Sequence, residues 1–158
     1  MRVIFPSEQA FLHAAVARVD IYDGGGLGDK SPDAICRALS RNPPTPPAGV
    51  QPLATTGNRG ACELRDGGAT LTGVGVGRRV IFVEAQGFDS QAILRGCTVQ
   101  DIFGEPEELS GADAATAADV SAIALVEVPL AILPDFPAGP AGCADIVEKC
   151  EEAVECRP

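Results

Sequence analysis

The sequence has very few aromatic residues and only one histidine. Aromatic side chains make up 4% of the 158 residues, and tryptophan does not occur. A core must therefore be built mainly from Val, Ile, Leu and Ala. His13 has no Gly-x-Ser-x-Gly motif to accompany it, so a Ser-His-Asp hydrolase is not indicated. We expect His13 to lie at the surface or in a helix cap.

Basic residues are also scarce, because 12 Lys and Arg stand against 22 Asp and Glu, for a net charge of −10. Nucleic acids and anionic lipids attract Lys and Arg, so we expect no nucleic-acid partner. No apolar run approaches the ~18 residues that span a bilayer. The longest, residues 122–133, is interrupted by Glu127 and Pro129. We therefore expect no membrane insertion of this chain, and we interpret its acidity as a source of solubility.

Cysteine, by contrast, is abundant. Three cysteines are spread through the body of the chain and three lie in its last sixteen residues: Cys36, Cys62 and Cys97, then Cys143, Cys150 and Cys156. This usage predicts structural disulfides in an extracellular or cell-surface protein, and a cytosolic protein with free thiols is the competing interpretation. Because residues 1–6 do not resemble a signal peptide, we expect a mature or excised part of a longer secreted precursor.

The cysteine spacing does not suit a metal site. The pattern Cys143-x6-Cys150-x5-Cys156 lacks the close C-x2-C pair of a zinc knuckle, and no histidine lies near it. On a helix over residues 144–154 the cysteines would share one face with apolar side chains, so packing explains their spacing. We predict no metal site and no cofactor.

Acidic residues near the glycine-rich segment 24–28 suggest a calcium site, since hard oxygen ligands bind Ca²⁺. They are Asp20, Asp23, Asp29 and Asp33. Their spacing does not match an Asp-x-Asp-x-Asp-Gly loop, so we interpret them as solvated loop acids, and residues 105–113 offer a weaker version of the same pattern. Glu84 and Asp89 flank a turn without being marked as the paired carboxylates of a glycosidase. We therefore predict no catalytic residues and no enzyme.

Short strands dominate the predicted secondary structure. Alternating or continuous apolar residues predict strands over residues 2–5, 16–22, 62–65, 71–76, 79–85, 93–99 and 120–133. Asp66-Gly67-Gly68 has the composition of a hairpin turn. Ser7 and Ser31 are each placed to cap a short helix. Residues 42–51 contain four prolines and predict an exposed, irregular loop, and residues 104–119 predict a mobile acidic loop.

These elements predict a mainly β fold, an antiparallel β-sandwich with short helical segments and a Cys-rich C-terminal tail. The predicted divisions are a sandwich domain over residues 1–133, a Pro-rich linker over 134–142 and a Cys-rich appendage over 143–158.

Several segments carry a resemblance to a known kind of module. They are residues 3–7 (Val-Ile-Phe-Pro-Ser), 19–23 (Val-Asp-Ile-Tyr-Asp), a Cys36-x-x-Leu39 loop, 77–85 (Gly-Arg-Arg-Val-Ile-Phe-Val-Glu-Ala) and 94–97 (Leu-Arg-Gly-Cys). Together they resemble immunoglobulin-like or prealbumin-like β-sandwich modules of secreted surface lipoproteins from myxobacteria-like bacteria. The resemblance covers residues 3–133 and implies a structural role. The lipid-bearing N-terminal cysteine of such proteins is absent, so lipid anchoring is not implied for this chain.

Six cysteines allow 15 disulfide pairings. Our first choice joins Cys36 to Cys97, which would tie a crossover loop to a late strand, and Cys36 to Cys62 is the second. Each of the two sets of cysteines is odd in number. At least one disulfide must therefore cross between the sets if all six are oxidised.

The sequence thus predicts a noncatalytic, disulfide-stabilised structural or adhesive module. Loops over residues 24–30, 42–59 and 104–119 would contact a protein or glycan surface partner. Two alternatives remain open. One is a subunit of an extracellular fibre or assembly that self-assembles through an edge strand or the segment 2–5. The other is a Ca²⁺-dependent carbohydrate-binding module.

Overall fold

The computed structural model describes residues 2–66, 68, 71, 74–103, 127–152 and 154–157. The strands in this part are β1 (Arg2–Ile4), β2 (Val16–Asp23), β3 (Ala54–Thr55), β4 (Arg59–Gly60), β5 (Gly77–Gln86), β6 (Ala92–Ile102), β7 (Glu127–Pro129) and β8 (Ala131–Ile132). The helices are α1 (Glu8–His13), α2 (Pro32–Leu39), α3 (Ala61–Asp66) and α4 (Ile146–Cys150), with a short 3-10 turn at Gly28–Lys30. The prediction of a mainly β chain with few helices is confirmed.

An antiparallel sheet organises these elements. Its strand order is β3-β2-β5-β6-β8, and β4 pairs with the start of β2. The central strand β5 pairs with β2 from Gln86 to Arg79 and with β6 along its whole length. The parallel pair β1 and β7 forms a second, two-stranded sheet. The strands predicted over residues 16–22, 79–85 and 93–99 are therefore confirmed as β2, β5 and β6.

The two faces of the large sheet are buried by different elements. Side chains alternate along a strand, so neighbouring residues of β2 and β5 point to opposite faces. One face packs against α1, α3, the small sheet and the C-terminal segment. This main core includes Val3, Phe11, Val19, Leu64, Val83, Leu94, Val128, Cys143 and Cys156. The other face packs against α2, where Ile35 and Leu39 contact Tyr22, Val80 and Phe82.

Serine caps begin two of the helices, as the sequence predicted. The Ser7 hydroxyl accepts a hydrogen bond from the Ala10 N–H, and the Ser31 hydroxyl accepts one from the Ala34 N–H. Pro32 occupies the first turn of α2, where its missing N–H leaves no internal hydrogen bond unmade. These local signals fix where α1 and α2 begin.

The strand predicted over residues 62–65 is wrong, since these residues belong to α3. Ala61 and Leu64 are both buried, and a spacing of three residues places them on one side of a helix. Four residues of apolar–polar alternation are too few to distinguish the period of a helix from that of a strand. The region over residues 71–76 is also not a strand at its described positions, because β5 begins at Gly77.

The predicted closing strand over residues 120–133 is only partly described. Within residues 127–133 it divides into β7 and β8, which are separated at Leu130 and belong to different sheets. Residues 120–126 and the predicted acidic loop over 104–119 lie outside the described residues.

The connection between β7 and β8 lies very close to β6 at Gly96. A Cβ added at Gly96 would overlap the Pro129 carbonyl oxygen and lie 2.9 Å from the Leu130 Cδ2 atom. Leu130 is buried in the main core. Only glycine therefore lets the two segments approach this closely without a shift of backbone.

We expect Gly96→Ala to lower the free energy of unfolding by about 2 kcal/mol, because the added methyl group forces β7 away from β6. Gly139→Ala is the matched control: no atom lies within 4 Å of a Cβ at that position, so its effect should stay within about 0.5 kcal/mol. Denaturant unfolding of both variants measures the difference. Equal stabilities would contradict the close approach at Gly96.

Candidate functional site

All six cysteines form disulfides. Cys36 pairs with Cys97, Cys62 with Cys150 and Cys143 with Cys156, at sequence separations of 61, 88 and 13 residues. The first-choice pairing is therefore present, and the second choice, Cys36 to Cys62, is wrong. The Cys62–Cys150 disulfide crosses between the two sets of cysteines, as their odd numbers require.

The disulfides connect short helices to the rest of the fold. Cys36 lies in α2 and Cys97 in β6, so this bond holds α2 on the sheet. Cys62 lies in α3 and Cys150 ends α4. The Cys143–Cys156 disulfide is buried in the main core. The Cys36–Cys97 and Cys62–Cys150 disulfides close the two long loops, and each of them contributes about 4 kcal/mol of stability in a chain-entropy estimate.

Four charged residues form a network on the face of the sheet that α2 covers: Arg18 and Asp20 of β2, Glu84 of β5 and Arg95 of β6 (the charged network). Glu84 and Arg95 are directly opposite each other in neighbouring strands, and each is 6% exposed. The Arg95 Nε donates to the Glu84 Oε2 at 2.7 Å. Charge-assisted hydrogen bonds of this kind are among the stronger ones in proteins.

Arg18 completes the network from the other side of β5. It lies opposite Glu84 in the register, and its Nη2 is 4.0 Å from the Glu84 Oε1. Its Nε is 3.0 Å from the Asp20 Oδ2, close enough for an ion pair, but the N–H does not point at that oxygen and makes no hydrogen bond. The network therefore alternates positive and negative charges across three strands and has no net charge.

The charged network also holds the start of the proline-rich loop. The Arg95 Nη1 donates to the Arg41 carbonyl oxygen at 2.7 Å, and its Nη2 donates to the Asn42 Oδ1 at 3.4 Å. The Asn42 amide in turn donates to the Asp135 carboxylate at 3.3 Å. Residues 42–51 form no helix or strand, as predicted. Arg95 thus joins the sheet to the start of this loop.

Tyr22 borders the network and stays protonated in neutral solution. Burial raises the pKa of its phenol, and the nearby Asp20 carboxylate raises this pKa further. Asp20 and Glu84 are each paired with an arginine. This arrangement of compensated charges is suited to fixing backbone positions.

Lys149 is a second buried cation, and it lies at the C-terminal end of α1. It is 7% exposed, and its Nζ donates to the carbonyl oxygens of Phe11, Leu12 (3.1 Å) and Ala14 (2.5 Å). The ammonium is also 4.3 Å from the centre of the Phe11 ring. An ammonium has three N–H donors, and the open carbonyls at the end of a helix carry partial negative charge. Lys149 therefore caps α1 from a distant part of the chain.

The sequence predicted His13 at the surface or in a helix cap; it is the last residue of α1, next to the cap residue Ala14, but it does not lie at the surface. His13 is 1% exposed, its Nε2 is 2.9 Å from the Gly139 carbonyl oxygen, and its ring meets Phe136 edge to face. Residues 136–139 cover the end of α1 and so bury the ring. No signal in the local sequence of α1 could have revealed a partner more than 120 residues away.

The acidic residues considered for calcium do not come together. Asp23, Asp29 and Asp33 are exposed, as predicted for loop acids, but Asp20 is buried in β2, so its prediction is wrong. Among the described residues, no group of three or more His, Cys, Asp or Glu is placed to hold a metal ion. Glu84 faces Arg95, and the Asp89 carboxylate instead accepts the Gln91 N–H.

Two of the three predicted contact loops lie beside each other. The Lys30 ammonium would be 3.7 Å from a Cβ at Gly49, which brings the loop over residues 24–30 against the loop over 42–59. Leu27 in the first of these is 88% exposed. The third loop lies outside the described residues, but it follows Phe103, which is 80% exposed at the same end of the sheet as Leu27.

Comparison with known proteins assigns no relatives. No protein-family model, no curated protein and no solved structure matches the chain. Among the described residues, no helix has the length and apolar character needed to cross a membrane. The function must therefore be argued from the disulfides and from the geometry of the loops and charges.

We expect Arg95→Met to lower the free energy of unfolding by about 3 kcal/mol, because it leaves the buried Glu84 carboxylate with Arg18, at 4.0 Å, as its positive neighbour and without its hydrogen-bonded arginine. Adding Glu84→Gln should recover part of this loss, since it removes the uncompensated charge. Arg59→Met is the control, because the Arg59–Glu63 pair is exposed and should be worth under about 1 kcal/mol. A double-mutant cycle by denaturant unfolding measures the coupling, and strictly additive losses would contradict the network.

Burial lowers the pKa of Lys149 to about 8 from its ordinary 10.5. Between these values the unfolded chain binds more protons than the folded one, so we expect the free energy of unfolding to rise with pH across this interval. This contribution is lost as the pH falls through 8. Lys149→Met lacks it, so the two proteins should diverge in denaturant unfolding above about pH 8. Parallel pH profiles would show that the three carbonyl oxygens fully offset the burial.

Proposed function

We propose that the chain is a noncatalytic, disulfide-stabilised module of an extracellular or cell-surface protein, with a structural or adhesive role. The observation that supports this most directly is that all six cysteines are paired in three disulfides. Structural disulfides form and persist in oxidising compartments, and they are rare where glutathione and thioredoxin keep thiols reduced. An oxidising compartment favours the pairing of every cysteine in the chain.

The proposed role depends on a rigid body that holds loops at its surface. The Cys36–Cys97 disulfide fixes α2 to β6, and Arg95 fixes the Arg41 carbonyl just beyond α2. Both constraints act immediately before the proline-rich segment, whose prolines have fixed φ angles and no N–H groups. A loop that is held in this way loses little further entropy when a partner binds. We propose a protein or glycan surface as that partner.

The noncatalytic part of the proposal is supported by how the polar side chains are used. The carboxylates of Asp20 and Glu84 face arginines, and His13 is buried against Phe136 and Gly139. Each of these three buried groups thus has a structural partner.

We also propose a β-sandwich related to the immunoglobulin-like modules of bacterial surface lipoproteins. Its support is that the small sheet and the large sheet contribute to one core, through Val3 and Val128 on one side and Val83 and Leu94 on the other. In a β-sandwich, two sheets bury their inner faces against each other in this manner.

For the protein isolated from its own cells without reduction, we expect peptide mapping by mass spectrometry to find all three disulfides. We also expect antibodies to label it on intact cells, because the proposed compartment lies outside the cytosol. Antibody labelling of a cytosolic protein after permeabilisation is the control. Six free thiols, or labelling only after permeabilisation, would overturn the proposal.

A further inference from the structure

The C-terminal segment forms a small ring that a single disulfide joins to a distant part of the fold. The Cys143–Cys156 disulfide closes the ring over a separation of 13 residues, and α4 lies within it. The Gly142 N–H donates to the Cys156 carbonyl oxygen at 3.3 Å, which closes the base of the ring. The Cys62–Cys150 disulfide joins the ring to α3. Cys62 could therefore pair with any of three closely spaced cysteines, namely Cys143, Cys150 and Cys156.

Chain length alone does not select Cys150. Pairing Cys62 with Cys143 or Cys156 would change the separation of 88 residues by only seven or six residues. Loop closure becomes less probable as the 3/2 power of loop length, so these pairings differ by only about a tenth in probability. The chain could also close smaller rings that join Cys150 to Cys143 or Cys156, at separations of seven and six residues against 13 in the native ring. Contacts made by the folded chain, and not chain length, must therefore favour the observed pairing.

The contact made by Lys149 has the required position. Lys149 directly precedes Cys150 at the end of α4, and successive residues of a helix point about 100° apart. One side chain can thus reach the end of α1 while the next reaches Cys62 at the start of α3. The buried ammonium, its three carbonyl acceptors and the Phe11 ring define a single docked position for the ring. No other residue between Cys143 and Cys156 supplies a cation.

We propose that Lys149 is a positioning residue for oxidative folding, which selects Cys150 as the partner of Cys62. Docking of the Lys149 side chain on the carbonyls at the end of α1 brings the Cys150 thiol to Cys62 before the bond forms, and Cys143 and Cys156 then pair with each other. With oxidised glutathione as oxidant, one cysteine thiolate attacks it and releases a glutathione thiolate. The second cysteine thiolate then attacks the mixed disulfide and releases the other glutathione, so that two electrons pass to glutathione.

The test is refolding of the reduced, denatured full chain in a glutathione redox buffer, followed by peptide mapping of the disulfides. Because three buried hydrogen bonds from one side chain are removed, we expect Lys149→Met to lower the ratio of Cys62–Cys150 to the other Cys62 pairings at least about tenfold. Lys30→Met is the matched control, because Lys30 is exposed and is the one other lysine of the chain. It should leave the ratio unchanged.

Two further readouts separate pairing from folding. The Cys36–Cys97 disulfide is remote from the ring and should form normally in Lys149→Met; its equal loss would overturn the proposal, since the whole chain would then be misfolded. If Lys149→Met precipitates, Lys149→Gln carries the test, because an amide still donates two hydrogen bonds without a charge. A wild-type pairing ratio in the soluble variant would overturn the proposal, even with a lowered melting temperature. Refolding in vitro does not depend on the proposed compartment, so either proposal can fail alone.

Discussion

The pairing of β5 with β2 on one side and β6 on the other is the constraint on which the rest of the structure depends. Alternation along β5 sends Val83 to the main core and Glu84 to the face that α2 covers. A slip of one residue would turn Glu84 into the apolar core, where its carboxylate would have no partner. The arginines opposite Glu84 in both neighbouring strands therefore fix the register, and the register in turn decides which helix each face receives.

The helices that cover these faces are too short to be stable alone, since isolated helices below about 12 residues are marginal in water. Three of them carry a bridged cysteine: Cys36 in α2, Cys62 in α3 and Cys150 in α4. The exception is α1, which has Ser7 at its beginning and the Lys149 ammonium at its end. Covalent bonds and one buried cation thus supply what a core with few aromatic side chains does not.

Local patterns predicted much of this fold. The three long strands follow from apolar residues at strand spacing, and α1 and α2 follow from serine caps. What the sequence could not reveal depends on residues far apart in the chain. The charged network needs the register that sets Glu84 opposite both Arg18 and Arg95. Lys149 has no local motif, and α3 could not be distinguished from a strand over so few residues.

The number of cysteines in each set predicts that one disulfide crosses between the sets, but only the folded structure shows which one it is. Their division into two odd sets required a crossing disulfide, and this needed no structure. The identity of that disulfide depends on Lys149 and on the end of α1, which only the fold brings together. Cys143 and Cys156 are buried with Phe11 in the main core, and Cys62 and Cys150 pack against it, so the crossing bond lies at the edge of that core. The C-terminal segment therefore stabilises the sheet through the same contacts that determine how it is attached.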